Sequence, residues 1–289
     1  MDHDCLFVDL DGVVYRGRQA VPHAVEVLSA FPGRVLYVTN NASRAPQTVA
    51  TQLAGYGLPA RPEDVVTSAQ AAAAHLASVL PRGARVLVTG GEGLWQAVVE
   101  NDLRPVRSAE QAEAVVQGFS PELTWKDLAE ASYALARDIP WVASNTDMSV
   151  PTARGIAPGN GTFVAAVASA TGRTPIVTGK PHPPIMDLAR ARASAQRPLV
   201  VGDRLDTDIA AARAAGMPSL LVLTGVSGWQ DLLDLPVEEL PTAVAPDLRV
   251  LAGYQDELTR TLAQLVGALR AGGDVAPTVE RLHQLSQAQ

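Results

Sequence analysis

The chain has 289 residues, room for one large or two medium domains, and 47% of them are hydrophobic, enough for a packed core. Its net charge of −7 argues against a nucleic-acid or anionic-membrane surface. No apolar run approaches the roughly 20 residues of a membrane span, the acidic start Met1-Asp2-His3-Asp4 is no signal peptide, and the single cysteine, Cys5, excludes an intramolecular disulfide and a cysteine zinc site; a cytoplasmic protein is expected.

The first predicted element is a strand over 5–8. It ends in Asp9-Leu10-Asp11-Gly12, two carboxylates one residue apart and then a glycine. A buried strand has little use for two anions at its tip, because desolvating them is costly unless they are paired or hold a metal. In an open parallel sheet, ligands bind outside the carboxyl ends of the strands. Cys5, inside the apolar run, reads as a small core residue. A helix over 22–30 is followed by a strand over 35–38 that runs into Thr39-Asn40-Asn41. A helix over 45–56 stops at Gly57, and a short strand over 65–67 leads to Ser68, a suitable N-cap for an alanine-rich helix over 69–80. This βαβαβ grammar predicts a doubly wound, Rossmann-like α/β core with a parallel sheet.

A second set of strands, over 85–88, 114–117 and 141–143, is separated by helices such as one over 125–136. None of these strand ends carries comparable chemistry. Residues 70–176 therefore read as an α/β cap inserted between two parts of the core, 1–69 and 177–274. Gly90-Gly91-Glu92-Gly93 follows a strand as a dinucleotide turn would, but the final glycine of that motif is absent. The core grammar resumes where Ile176-Val177-Thr178-Gly179 runs into Lys180, followed by a helix over 184–195. A strand over 198–201 runs into Gly202-Asp203, with Asp206 and Asp208 close behind and a helix over 207–215 after them. Strands over 219–223, ending in Thr224-Gly225, and over 243–245 precede a helix over 257–270. Residues 275–289 read as a C-terminal tail without legible chemistry.

These endings suggest one reaction. Asp9 can attack phosphorus to give an aspartyl-phosphate, which splits one hard displacement into two. Asp11, on the same side of an extended chain, can protonate the leaving alkoxide and later activate water. Thr39 offers a hydroxyl to phosphoryl oxygens, and Lys180 would neutralise charge that builds during transfer. Lys126 and Lys180 are the only lysines in a chain that otherwise uses arginine, and a compact ammonium suits a tight anion site better than arginine's broad fork. Asp203 would complete a cation site with Asp9; oxygen ligands around a partly hydrated ion suit Mg2+. Other readings stand beside these. Asp11-Gly12 can be a turn, Thr39-Asn40-Asn41 a connecting loop, Asp206 a solvated loop residue, and Asp208 a first-turn acid favoured by the helix dipole.

The four stretches Asp9-Leu10-Asp11-Gly12-Val13, Thr39-Asn40-Asn41, Gly179-Lys180-Pro181 and Gly202-Asp203-Arg204-Leu205-Asp206-Thr207-Asp208 resemble the signature motifs of the haloacid dehalogenase superfamily. The insertion between the second and third motifs, with Asn145-Thr146-Asp147, Pro151, Gly155 and Pro158-Gly159-Asn160-Gly161, looks like the NagD-like branch with a C2-type α/β cap. The resemblance implies that Asp9 is the nucleophile, Asp11 the acid/base and the giver of a backbone carbonyl to Mg2+, and Asp203 the side-chain metal ligand, with Asp208 in or just behind the metal's shell. It implies phosphate contacts from Thr39, Asn40, Asn41 and Lys180. Candidate substrate contacts are Asn41, Arg44, Asn145, Asp147, Arg154 and His182; Asn41 and Asp147 come first because they flank the motif loops, and either can equally brace its loop. The second aspartate argues for a phosphatase over a dehalogenase.

Asn40-Asn41-Ala42-Ser43-Arg44, Glu63 through Gln70 and Gly202 through Ile209 are similar to actinobacterial glycerol-3-phosphate phosphatases, so glycerol 3-phosphate is the first expected substrate. Pyridoxal phosphate, a nucleoside monophosphate, 2-phosphoglycolate and a sugar phosphate are alternatives. A phosphotransferase or mutase, and a non-catalytic phosphate-binding protein, are the readings of another class. The expected partner is a small phosphorylated metabolite, with no nucleic acid or membrane, and a homodimer is compatible with the family.

Overall fold

A computed structural model describes residues 3–152 and 154–287. The chain forms two compact units. The first holds the chain up to Val38, Gln52–Ala60 and the chain from Ala189 onward; the second holds Thr39–Thr51 and Arg61–Leu188. The cap expected over 70–176 thus lies inside a larger unit that also takes in the loops at Asn40 and Lys180. Hydrogen bonds explain why: the Asn40 carbonyl accepts from Ser68 Oγ at 2.6 Å and Asn145 Nδ2 at 2.7 Å, and Asn40 Oδ1 accepts from the Lys180 amide at 2.8 Å.

In the first unit the strands run in the order Ala243–Ala245, Ser219–Val222, Pro198–Gly202, Cys5–Val8 and Arg34–Thr39, each parallel to its neighbours. All four residues of Cys5–Val8 are buried. A parallel strand covered on both faces reads as a continuous apolar run rather than an alternation, and Cys-Leu-Phe-Val is such a run. Parallel pairing also brings the carboxyl ends to one edge. Val8 is in register with Val201, and the Asp9 amide donates to the Val201 carbonyl at 2.9 Å, so Asp9 and Asp203 emerge side by side.

Burial pushes the Cys5 thiol up to about 12. The stability carried by the neutral thiol is therefore fully present below the free-thiol pKa of about 8.5 and is lost as pH rises toward about 12. Cys5 in the native protein is expected to resist a disulfide reagent near about pH 8 and to react on denaturation. Native labelling at the rate of a free thiol would contradict that burial.

The segment read as a tail over 275–289 forms a helix, Ala276–Gln287. Its pattern was legible: Val275, Val279 and Leu282 recur at helical spacing. Leu282 is fully buried in a cluster with Ile209, Leu221, Trp229, Leu262 and Leu265, and Trp229 meets the His283 ring edge-on at 5.0 Å. Leu282→Ala is expected to cost about 2–5 kcal/mol of unfolding free energy in a urea titration. An unchanged midpoint would mean that this helix adds nothing to the fold.

The second unit carries a five-stranded parallel sheet in the order Ile176–Val177, Trp141–Ala143, Ala114–Gln117, Arg85–Thr89, Arg104–Val106. Two of these strands, Arg104–Val106 and Ile176–Val177, lie outside the strands expected from sequence; Ile176–Val177 pairs with Trp141–Ala143. The Gly90-Gly91-Glu92-Gly93 turn opens the helix Glu92–Glu100 and lets it pack closely on the loop at Ser43 and Arg44. A Cβ on Gly93 would lie 2.5 Å from the Arg44 carbonyl, and one on Gly91 would lie 3.1 Å from Ser43 Cα. Among the described residues no helix is long and apolar enough to cross a membrane.

Candidate active site

Three carboxylates converge at the edge of the first unit's sheet. Asp9, Asp203 and Asp208 each offer an oxygen, and these atoms lie within 4.8 Å of one another. Asp203 and Asp208 are each only 1% exposed, so the charges meet in a poorly hydrated place. Like charges so arranged raise one another's cost unless a cation sits among them. An all-oxygen donor set suits a hard divalent ion.

The surrounding backbone is shaped to this cluster. Gly12 has φ +86°, a left-handed conformation that favours glycine, and a Cβ there would lie 2.4 Å from Asp203 Oδ2. A Cβ on Gly202 would lie 2.2 Å from Asp208 Cβ. Asp208 sits in a single π-helical turn, Leu205–Ile209, rather than at the head of an ordinary helix, and its Oδ2 accepts from the Arg204 amide at 3.2 Å. Such turns recur at functional sites. Asp206 points outward and pairs with Arg204 at 2.6 Å, which holds its carboxyl below the usual range. Asp11 is exposed, two residues beyond Asp9.

A further strand end also borders the cluster. The segment Thr224-Gly225-Val226-Ser227 braces Asp203 from the other side. The Val226 amide donates to Asp203 Oδ2 at 2.8 Å, the Ser227 amide donates to the Asp203 carbonyl at 3.0 Å, and Thr224 Oγ1 donates to the Gly12 carbonyl at 2.6 Å. A Cβ on Gly225 would lie 1.7 Å from Asp203 Oδ2. The signal was present in the sequence as one more apolar strand ending in a hydroxyl residue and a glycine.

The second unit gathers the other predicted residues. Thr39 is 5% and Lys180 3% exposed, whereas Lys126 is exposed, so of the two lysines Lys180 is the one held inside. Asn40 Nδ2 donates to the Lys180 carbonyl at 2.9 Å and to Asp147 Oδ2 at 3.1 Å. The Asn41 amide donates to Thr39 Oγ1 at 3.1 Å, and Asn41 Oδ1 accepts from the Ser43 amide and hydroxyl at 3.0 and 2.8 Å. Those bonds make Asn41 a brace of its own loop. Arg44 is half-buried, and Arg154 and His182 are exposed. Asn145 is buried, with its carbonyl accepting from Asn160 Nδ2 at 2.6 Å. Gly159 and Gly161 let the helix Asn160–Thr171 approach this loop, since their Cβ atoms would lie 2.3 Å from the Asp147 carbonyl and 2.2 Å from the Thr146 carbonyl.

Residues 6–104 match the family model of haloacid dehalogenase-like hydrolases, and residues 177–251 match that of HAD-hydrolase-like proteins. A D-glycerol 3-phosphate phosphatase from Mycobacterium tuberculosis is 51% identical over 268 residues, spanning 92% of this chain and 75% of the relative. The chain belongs to the haloacid dehalogenase-like hydrolases. The 5'-nucleotidase YutF of Bacillus subtilis is 37% identical to this hydrolase over 232 residues, 78% of the chain and 90% of the relative. A solved structure of glycerol phosphate phosphatase from Mycobacterium tuberculosis in complex with magnesium matches it with a TM-score of 0.86 at 51% identity, covering 91% of this chain and 79% of that one.

Within this hydrolase, the predicted metal residues Asp9, Asp203 and Asp208 therefore meet in one unit. Thr39, Asn40, Asn41, Asp147 and Lys180 are knit together in the other.

Proposed function

We propose that this hydrolase is a Mg2+-dependent phosphomonoesterase that acts on a small phosphate ester, with glycerol 3-phosphate as its preferred substrate. The observation that carries the reading is the cluster of Asp9 and Asp203 at adjoining strand ends with Asp208 from the helical turn that follows. The substrate assignment is supported by the relative 51% identical across nearly the whole chain.

Asp9, Asp203 and Asp208 would hold the ion, with the main-chain carbonyl of Asp11 as the further oxygen donor implied by the family. Bound there, Mg2+ offsets the negative charge of the phosphoryl group. Asp9 attacks phosphorus; a bond from its carboxylate oxygen forms as the ester P–O bond breaks. Asp11 gives its proton to the departing alkoxide, releasing glycerol. Asp11, now a carboxylate, takes a proton from water, whose oxygen attacks phosphorus as the bond to Asp9 breaks. Phosphate leaves and Asp9 returns to its starting state. By the family pattern, Thr39 and Lys180 serve the phosphoryl oxygens. A reducing, cytoplasmic setting fits a chain whose single cysteine is a buried thiol.

Phosphate release from a panel of phosphomonoesters, with magnesium and with EDTA, tests the proposal. Magnesium-dependent release with the highest kcat/KM on glycerol 3-phosphate is expected. Preference for another ester would overturn the substrate, and no release from any ester by the folded protein would overturn the activity.

A further inference from the structure

The Asn40 side chain has a task that the motif containing it does not announce. A primary amide offers two N–H donors and one acceptor oxygen. Both donors of Asn40 are in use, one on the Lys180 carbonyl at 2.9 Å and one on Asp147 Oδ2 at 3.1 Å. Its oxygen accepts from the Lys180 amide at 2.8 Å. The partners fix which way the amide faces, because the Lys180 N–H can only donate and the Lys180 carbonyl can only accept. No side-chain donor of Asn40 remains for a phosphoryl oxygen.

We infer that Asn40 is a positioning residue: its amide clamps both main-chain groups of Lys180 and so sets the direction in which that lysine's side chain leaves the backbone. The inference rests on the phosphatase reading above, in which Lys180 carries charge during transfer.

Holding the N–H and the carbonyl of one residue orients the peptide planes on both sides of its Cα, and the Cα–Cβ bond is fixed with them. The clamp bridges 140 positions of sequence, so it replaces a local turn as the device that seats the Lys180 loop. Several neighbours are committed to it. Gly179 leaves room, since a Cβ there would lie 2.7 Å from Asn40 Oδ1 and 2.3 Å from the Ser144 carbonyl. Ser68 Oγ and Asn145 Nδ2 hold the Asn40 carbonyl at 2.6 and 2.7 Å. Asn145 Oδ1 also accepts from the Asp147 amide at 3.2 Å, so the loop that pins the Asn40 backbone also places the carboxylate on its side chain. Asp147, a candidate substrate contact from sequence, is thereby part of the same brace.

The test compares Asn40→Ala with wild type and with Leu135→Ala, a buried residue of the second unit's core outside the motif stretches. A charge misplaced by about 1 Å costs on the order of 10²-fold in rate. Asn40→Ala is expected to lose about that factor in kcat while KM for glycerol 3-phosphate moves less than about threefold, because the lost interaction belongs to the transition state. Leu135→Ala should lower Tm at least as far while kcat at 25 °C stays within about twofold, as a merely destabilised fold would. In a Lys180→Met background, adding Asn40→Ala should change kcat/KM by less than about twofold, since the clamp then has no ammonium to place. If Asn40→Ala does not fold, Asn40→Asp carries the test; it keeps the acceptor, loses both donors, and should lose at least about tenfold in kcat. A wild type that releases no phosphate from any monoester overturns the phosphatase reading and this inference with it. An active wild type whose Asn40 variants keep kcat, or lose as much in the Lys180→Met background, overturns the inference alone.

Discussion

Asp9→Asn is expected to leave the fold intact and to reduce turnover to below about 1% of wild type, since a neutral amide neither attacks phosphorus nor departs as a carboxylate. The packing argument for a retained fold is direct. Asp9 is half-buried at the strand tip, the substitution is isosteric, and its main-chain amide keeps the 2.9 Å bond to Val201. Circular dichroism and a thermal melt would check the fold, and steady-state phosphate release the activity. Turnover well above about 1% in a folded variant would remove Asp9 from the nucleophile's role.

Gly225→Ala is the second large effect, and it arises in a residue that makes no chemistry of its own. The added methyl would stand 1.7 Å from Asp203 Oδ2, 2.2 Å from its Cγ and 2.3 Å from its Cβ. Asp203 is 1% exposed and has no open side into which to retreat, so the backbone of Thr224-Gly225-Val226 or the carboxylate itself must shift. Either shift breaks the 2.8 Å bond from the Val226 amide that aims the carboxylate. Overpacking of this kind costs about 1–3 kcal/mol of stability. Loss of a ligand's orienting partner typically weakens metal affinity by about 10–100-fold. Calorimetric titration with Mg2+, in the absence of substrate, is expected to show that loss. Wild-type magnesium affinity in the variant would mean that Asp203 is not held for a metal by this loop.

The sequence carried the first unit's edge well because strand ends are local. An apolar run that stops at a carboxylate is visible without knowing its neighbours, and parallel pairing then brings Asp9 and Asp203 together, with Asp208 added by the turn that follows. Thr224-Gly225 has the same form but carries no charge, so its sequence alone announces no role. Asn40 was legible only in type. An asparagine after a strand is as good a phosphate donor as a brace, and what decides between them is the approach of Lys180 from 140 positions away. Asp208 shows the same limit on a smaller scale. It stands in the first turn of its helix, as a first-turn acid does, but that turn is π-helical over Leu205–Ile209 and the carboxylate is buried beside Asp203, which the local pattern does not announce. The C-terminal helix is a different case: its apolar spacing is present, but in a Gln- and Ala-rich segment only the packing of Leu282 into the core distinguishes it from a solvated tail.

Acid quenching of the magnesium-loaded enzyme during turnover of phosphate-labelled glycerol 3-phosphate tests the central claim most directly. The account predicts a transient, hydroxylamine-sensitive label on the peptide that contains Asp9, absent in Asp9→Asn. Full phosphate release by the wild type, with no label on that peptide at any quench time, would contradict it.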